Sequence, residues 1–305
     1  MSVLLEPARV ERRVFTSRHV AVGEWRLARE HPQFADTGPT RQCLVAFPRT
    51  AVAIAHEGRP EFIADPGVAT VYNRGQAYRR RAVDPAGDRC DWFGIDDRWA
   101  TDIALANGMD VRDPGAPFRV DRAPVGAALY LAQRELLQRL AMGAADELEA
   151  EEGVIALVHA VCASALCAGR PGVRRAARTT RHRDLAHDAL SLVAQGLREP
   201  LRLDLLAGRL GVSVFHLCRV FRAEFGLPLH RHLARMRLRA ALEPVAEPGS
   251  DLTAVALAHG FASHSHFTAA FKREYGCTPS AWRTRLHRAA AAGPHPPAAG
   301  LPRRR

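Results

Sequence analysis

Between residues 14 and 95 apolar and polar residues alternate over short runs that turn signals separate. Arg18–Leu27, Cys43–Phe47, Val52–His56, Ala69–Tyr72 and Cys90–Gly94 carry the strand pattern. His31–Pro32, Thr37–Gly38–Pro39, Asp65–Pro66–Gly67 and Asp84–Pro85–Ala86–Gly87 interrupt it. Many short strands at this spacing predict an all-β sandwich or barrel. The period then changes. Over Pro124–Met142, Val125, Leu129, Ala132, Leu136 and Leu140 recur at intervals of three and four, the stripe of an amphipathic helix. A second helix is predicted over Asp146–Ala168. Asp146 stands at its N-cap, acids fill its first turns, and Leu148, Ile155, Val158, Cys162, Ala165 and Leu166 form its apolar set. Both helices suit packing on the strands, a dimer interface, or both. Residues 169–183, rich in Gly, Pro and Arg, read as a linker.

Beyond the linker the pattern repeats itself. Ser213–Gly226, SVFHLCRVFRAEFG, aligns with Ser263–Gly276, SHSHFTAAFKREYG, at an offset of 50. Upstream the offset is 49: Leu203 meets Leu252, Ala207 meets Ala256, and Gly211 meets Gly260. One small unit is present twice. In each copy a short helix (Asp204–Leu210 in the first) carries an alanine that lets a second helix approach closely. A glycine then supplies the backbone conformation of a tight turn. Ser213 and Ser263 are placed to N-cap the next helix, and Leu217, Val220 and Phe221, like Phe267 and Phe271, return to the core at helical spacing. An alanine, a glycine and apolar residues so spaced form the helix-turn-helix pattern, and two copies in register make it far more specific than one.

Charge adds a partner class. Residues 1–169 carry 20 Arg against 23 acids, a net of −3. Residues 170–182 carry +5, residues 183–288 carry +6 and the tail 289–305 carries +3, so the excess of +11 lies in the second half. That asymmetry suits a polyanion. Hydrophobic residues make up 47% of the chain, enough for a buried core in a globular protein. No apolar run of eighteen residues and no leader-like N-terminus is seen, so the expected location is the cytoplasm, without a membrane span. Cys43, Cys90, Cys162, Cys167, Cys218 and Cys277 are scattered without a CxxC pair and read as reduced, mostly buried thiols.

Residues 184–288 resemble the DNA-binding domain of the AraC family of bacterial transcription regulators. The resemblance rests on LDLLAGRLGVSVFHLCRVFRAEFGLPLHRHLARMRLRAAL and LTAVALAHGFASHSHFTAAFKREYGCTPSAWR, above all on Gly260–Phe261, Ser265–His266–Phe267, Phe271–Lys272, Gly276, Pro279 and Trp282–Arg283. It implies two helix-turn-helix units joined by a long helix, here His230–Leu242, that sets two recognition helices into successive major-groove segments. By position in that motif, Phe215, Cys218 and Arg219 of unit one and His264, Ser265 and Ala269 of unit two are base-reading candidates. Ser213, Arg222, Ser263 and Lys272 are phosphate candidates. Arg219 is favoured because arginine binds guanine bidentately. His216 and His266 suit either a local hydrogen bond or a phosphate contact.

The same resemblance makes residues 1–168 a cupin-like β-barrel, β-rich over 14–95 and helical over 124–168, that binds an effector and dimerises. The fold class is therefore α+β, with an all-α double helix-turn-helix domain over 184–288 and a disordered Arg/Pro/Ala tail over 289–305. Trp25, Tyr72, Tyr78 and Trp92 are the candidate effector-lining residues. The implied partners are double-stranded promoter DNA, a second copy of the chain, RNA polymerase and a small-molecule effector, and the implied role is an activator. The alternative is a DNA-linked enzyme, a methyltransferase or a cupin-type oxygenase, with an accessory helix-turn-helix. Against it, Cys43 and Cys90 have no metal-binding context, His31 and His56 form no HxH pair, and no nucleophile elbow occurs. His259, His264 and His266 lack a Cys or carboxylate to complete a zinc set. No cofactor, metal site or catalytic residue is expected.

Overall fold

The computed structural model describes residues 9–169, 180–199 and 201–291. Most of the linker over 169–183 and of the tail over 289–305 lies outside the described residues. The order is β1 (Arg9–Thr16), β2 (Val20–Leu27), β3 (Cys43–Pro48), β4 (Val52–His56), β5 (Phe62–Ala64), β6 (Val68–Tyr72), β7 (Tyr78–Ala82), β8 (Asp88–Ile95), α1 (Asp97–Ala106), β9 (Arg122–Pro124), α2 (Ala127–Ala141) and α3 (Glu147–Gly169). Then come α4 (Thr180–Gln195), α5 (Leu203–Arg209), α6 (Val214–Phe225), α7 (Leu229–Ala246), α8 (Leu252–Ala258), α9 (His264–Tyr275) and α10 (Pro279–Ala291). The architecture is mixed α+β.

The strands form two antiparallel sheets, one in the order β1-β2-β8-β3-β6-β9 and one in the order β5-β4-β7. Among the described residues no ladder joins them, which corrects the expected barrel: the strands make a two-sheet sandwich, not a closed cylinder. The edge strands of the small sheet explain this. β5 has three residues and β7 five, and both pair only with β4. Leu27, Val52, Ile54, Phe62 and Ala64 fill the space between the sheets.

The other face of the large sheet is covered by helices. Val22, Val45, Phe47, Val71 and Phe93 pack with Leu137 of α2 and Val154, Val158 and Val161 of α3. Full burial of each such side chain is worth about 1.5–3 kcal/mol. α3 begins with a capping box: Asp146 Oδ1 accepts from the Glu149 N–H at 2.8 Å, and Glu149 Oε2 accepts from the Asp146 N–H at 3.3 Å. Two expected core positions differ. Leu148 is 64% exposed, outside the buried stripe of α3. In α2, Ala132 is exposed while Gln133 and Arg134 are buried, because Arg134 Nη1 donates to the fully buried Asp91 of β8 at 2.6 Å.

α4 to α10 form two units that share α7. Leu190, Leu206, Leu217, Phe221, Leu233 and Met236 make the first core, which continues onto Ala53 and Ile63 of the small sheet and Ala51 just before β4. Leu242, Val255, Ala256, Phe267, Phe271 and Trp282 belong to the second, which is continuous with the core over the large sheet. α7 runs past the expected His230–Leu242. Its 18 residues give a length of about 27 Å.

Candidate functional site

The duplication appears as two copies of one local design. α6 and α9 each have 12 residues. Ser213 Oγ accepts from the His216 N–H at 3.2 Å, and Ser263 Oγ accepts from the His266 N–H at 3.1 Å. Both helices end on a left-handed glycine, Gly226 at φ 73° and Gly276 at φ 77°. The turns before them pass through Gly211 at φ 66° and Gly260 at φ 75°. A side chain at Gly260 would also collide, since its Cβ would lie 2.9 Å from the Arg198 carbonyl. Leu217, Phe221, Phe267 and Phe271 are wholly buried beneath the two helices.

The outward faces of α6 and α9 hold the expected DNA-contact residues. Phe215 is 79% exposed, a large apolar ring held in water. Ser213, Arg219 and Arg222 are exposed, and Cys218 is half-buried. Arg219 Nη2 lies 3.2 Å from His216 Nδ1, so His216 spends its ring on a partner within the helix. On α9, Ser263, His264, Ser265, His266, Ala269 and Lys272 are all exposed. The three histidines of this region are separated by environment. His259 is buried with its Nδ1 2.8 Å from the Val255 carbonyl, His266 packs on Phe261, and His264 Nε2 lies 3.4 Å from the Thr268 hydroxyl.

The sandwich contains a cavity of about 170 Å³. Trp25, Tyr72, Tyr78 and Trp92, picked from sequence as effector-lining candidates, all line it. So do Asp88 and Cys90, which sequence reasoning missed. The signal was available: strand alternation puts Asp88, Cys90 and Trp92 on one face of β8. Gly23 of β2 leaves room for Trp92, whose ring atom Cζ2 would be 2.6 Å from a Cβ at that position. Beside the cavity, His56 touches Tyr72, Tyr78 and Phe62. Burial lowers its pKa to about 4, so it is a neutral ring at physiological pH.

The opposite face of β8 grips α7 of the C-terminal half and α2 of the N-terminal half. Arg89 Nη2 donates to Glu243 Oε2 of α7 at 3.1 Å, and Asp91 holds Arg134 of α2. Arg49, from the end of β3, pairs with Glu243 as well and lies 3.6 Å from Asp91. Burial alone would raise the Glu243 carboxyl, but Arg49 and then Arg89 outweigh it and hold its pKa down to about 2. Further along α7, Arg239 donates to the carbonyls of Pro66 and Val125 and stacks 4.6 Å above the Tyr130 ring. His232 Nε2 lies 2.6 Å from Asp65 Oδ2. Burial pushes Asp65 up, but the attraction of His232 prevails and leaves its carboxyl below the usual range. Arg237 Nε donates to the Leu197 carbonyl and its Nη1 to the Gly260 carbonyl, tying the two units together. On unit two, Trp282 Nε1 donates to Glu135 of α2 at 2.8 Å. None of these pairs has a local sequence signature, because the partners stand up to 173 residues apart.

Two of the thiols, Cys43 and Cys90, are unsuited to nucleophilic chemistry. Burial pushes Cys43 up to about 11 and Cys90 well above its usual range, so neither is a thiolate at neutral pH. Only Cys43 and Cys162 are fully buried; Cys167 is exposed and the other three are half-buried.

Residues 206–285 match the model of a helix-turn-helix domain. The chain is similar to the probable transcription factor PqrA of Proteus vulgaris, 32% identical over 85 residues that span 28% of this chain and 70% of that protein. It is similar to the regulatory protein SoxS of Escherichia coli, 27% identical over 105 residues that span 34% of this chain and 98% of that protein. Among solved structures, ToxT of Vibrio cholerae aligns over 88% of this chain and 99% of its own, at 12% identity and a TM-score of 0.34. The matched domain, the duplicated caps and turns, and the identity to PqrA over most of its length place the protein: this chain belongs to the AraC family of transcription regulators.

Proposed function

We propose that this protein is an effector-responsive activator that binds promoter DNA through α6 and α9. The observation that carries this reading is the pair of identically capped helices whose exposed faces differ in chemistry. Unit one offers Phe215, Cys218 and Arg219 to the bases, unit two offers His264, Ser265 and Ala269, and Ser213, Arg222, Ser263 and Lys272 flank them for phosphates. The purified chain is expected to protect promoter segments in genomic footprinting, in pairs about 10 base pairs apart on one DNA face. A purified, folded chain that protects no promoter would sink the proposal.

The effector reading rests on the cavity and on β8. That strand lines the cavity with Asp88, Cys90 and Trp92 and grips α7 and α2 with Arg89 and Asp91. A ligand pressing on one face of β8 moves the groups on the other, and the connector between the two DNA-reading units feels the shift. Residues 1–168 then act as the effector domain, residues 184–288 as the DNA-binding domain and 169–183 as the link between them. Glu243→Gln is expected to loosen the grip and raise the operator affinity of the unliganded chain about fivefold, the scale of a partly exposed ion pair. Gel-shift titration reads this, and an unchanged affinity would mean that Glu243 does not restrain the two units.

The dimer reading rests on α3. Its composition and length match those of a membrane-crossing helix, yet much of it is left uncovered, with Leu148, Ala156 and Cys167 exposed. A second copy of the chain covers this face, and the dimer presents two DNA-binding domains to a tandem or inverted site, where RNA polymerase is the further partner.

A further inference from the structure

The cavity wall looks at first like a cage for a quaternary ammonium ion. Two Trp and two Tyr rings surround it, and such rings bind cations over their faces. The protein's own cation already covers two of these rings, from outside the lining of the cavity. Arg80, 4% exposed, has its guanidinium carbon 5.2 Å from the centre of Trp25 and 5.1 Å from that of Tyr78. Its Nη1 donates to Asp88 Oδ2 at 2.7 Å, and its Nη2 donates to the hydroxyls of Thr37 and Tyr78, each at 2.6 Å. An incoming cation meets a like charge and finds the carboxylate beside it taken. A buried anion finds both terminal nitrogens of the guanidinium already donating, with only the buried Nε left without a partner. The interior therefore disfavours a fully buried charge of either sign.

Size and the rest of the lining narrow the ligand further. Leu44, Ala46, Val52, Ile54 and Ala64 complete an apolar floor. An apolar cavity of about 150 Å³ in another protein holds one benzene. The 170 Å³ here suits one ring with small substituents. The rings on the wall offer that occupant stacked and edge-to-face contacts. Of the charged lining residues, Glu11, Arg13 and Arg41 are exposed and so mark the mouth, two cations against one acid. We infer that the cavity takes a single planar aromatic ring, uncharged where it is buried, bearing a carboxylate that stays at Arg13 and Arg41. This class rests on reading the cavity as the effector site.

Calorimetric titration of the full-length chain tests it with four probes: benzoate, benzyl alcohol, hexanoate and choline. Benzoate is expected to bind tightest and benzyl alcohol more weakly, with neither hexanoate nor choline saturating in the same range. An Arg13→Ala/Arg41→Ala variant is expected to lose about three- to fivefold in benzoate affinity and to keep its affinity for benzyl alcohol. Choline or hexanoate binding as tightly as benzoate would overturn the ligand class, as would no saturation by either ring compound. The effector reading fails separately: benzoate that binds but leaves operator affinity unchanged removes the regulatory role and leaves the ligand class standing.

Discussion

Arg219→Ala is expected to weaken binding to the cognate operator by about 1–3 kcal/mol, roughly 5- to 150-fold, and to leave non-specific binding almost unchanged. Arg219 is exposed on α6, and His216 one turn before it steadies its guanidinium from 3.2 Å. A bidentate contact to guanine is lost entirely when the side chain is truncated, and no other arginine lies on the outward face of α6 before Arg222. Arg222→Ala is the matched control. It is expected to weaken all DNA alike and to lower the slope of log affinity against log salt by about one. Fluorescence anisotropy on operator and scrambled duplexes at several salt concentrations separates the two. Equal losses on both duplexes for Arg219→Ala would make that residue a phosphate contact and leave unit one without its main base reader.

The largest stability effect is expected at Arg134. Its partner Asp91 is 0% exposed and Arg134 itself 2%. Their attraction offsets a large desolvation penalty, and removing one charge leaves the other buried without compensation. Arg134→Met is therefore expected to cost about 3–5 kcal/mol in urea unfolding. Removing both charges, as Asp91→Leu with Arg134→Met, should recover most of that loss, because the buried carboxylate disappears too. A loss below about 1 kcal/mol for the single change would mean that Arg49, 3.6 Å from Asp91, serves as an adequate second partner.

What the sequence made legible follows from how local each signal is. The two helix-turn-helix units were readable because caps, turns and core positions repeat at fixed spacing, and each of those features acts within a dozen residues. Five strands were readable from alternation. β1 was not, because RVERRVFT is an arginine-rich edge strand with one neighbour. β7 was hidden for another reason. YRRRA buries Arg80, and Asp88 on β8 together with the Thr37 and Tyr78 hydroxyls makes that tolerable. The face of α2 was misread by one position for the same reason, since Arg134 is turned inward by Asp91. The four aromatic residues of the cavity were chosen by type alone, and the strands' register brings them together. The grip on α7 was invisible, because each of its ion pairs joins segments that only the finished fold makes neighbours.

The duplication also has a consequence for direction. The two recognition helices share one frame, yet Arg219 stands where unit two has Ala269. A reader whose two halves differ has no reason to prefer a palindrome. If α6 and α9 read bases as proposed, one copy of this chain calls for a site with a left and a right end, and lies on it one way round. The promoter thereby acquires an arrow: inverting the site without changing a single contact would turn the rest of the protein, and whatever it touches, toward the other side of the gene.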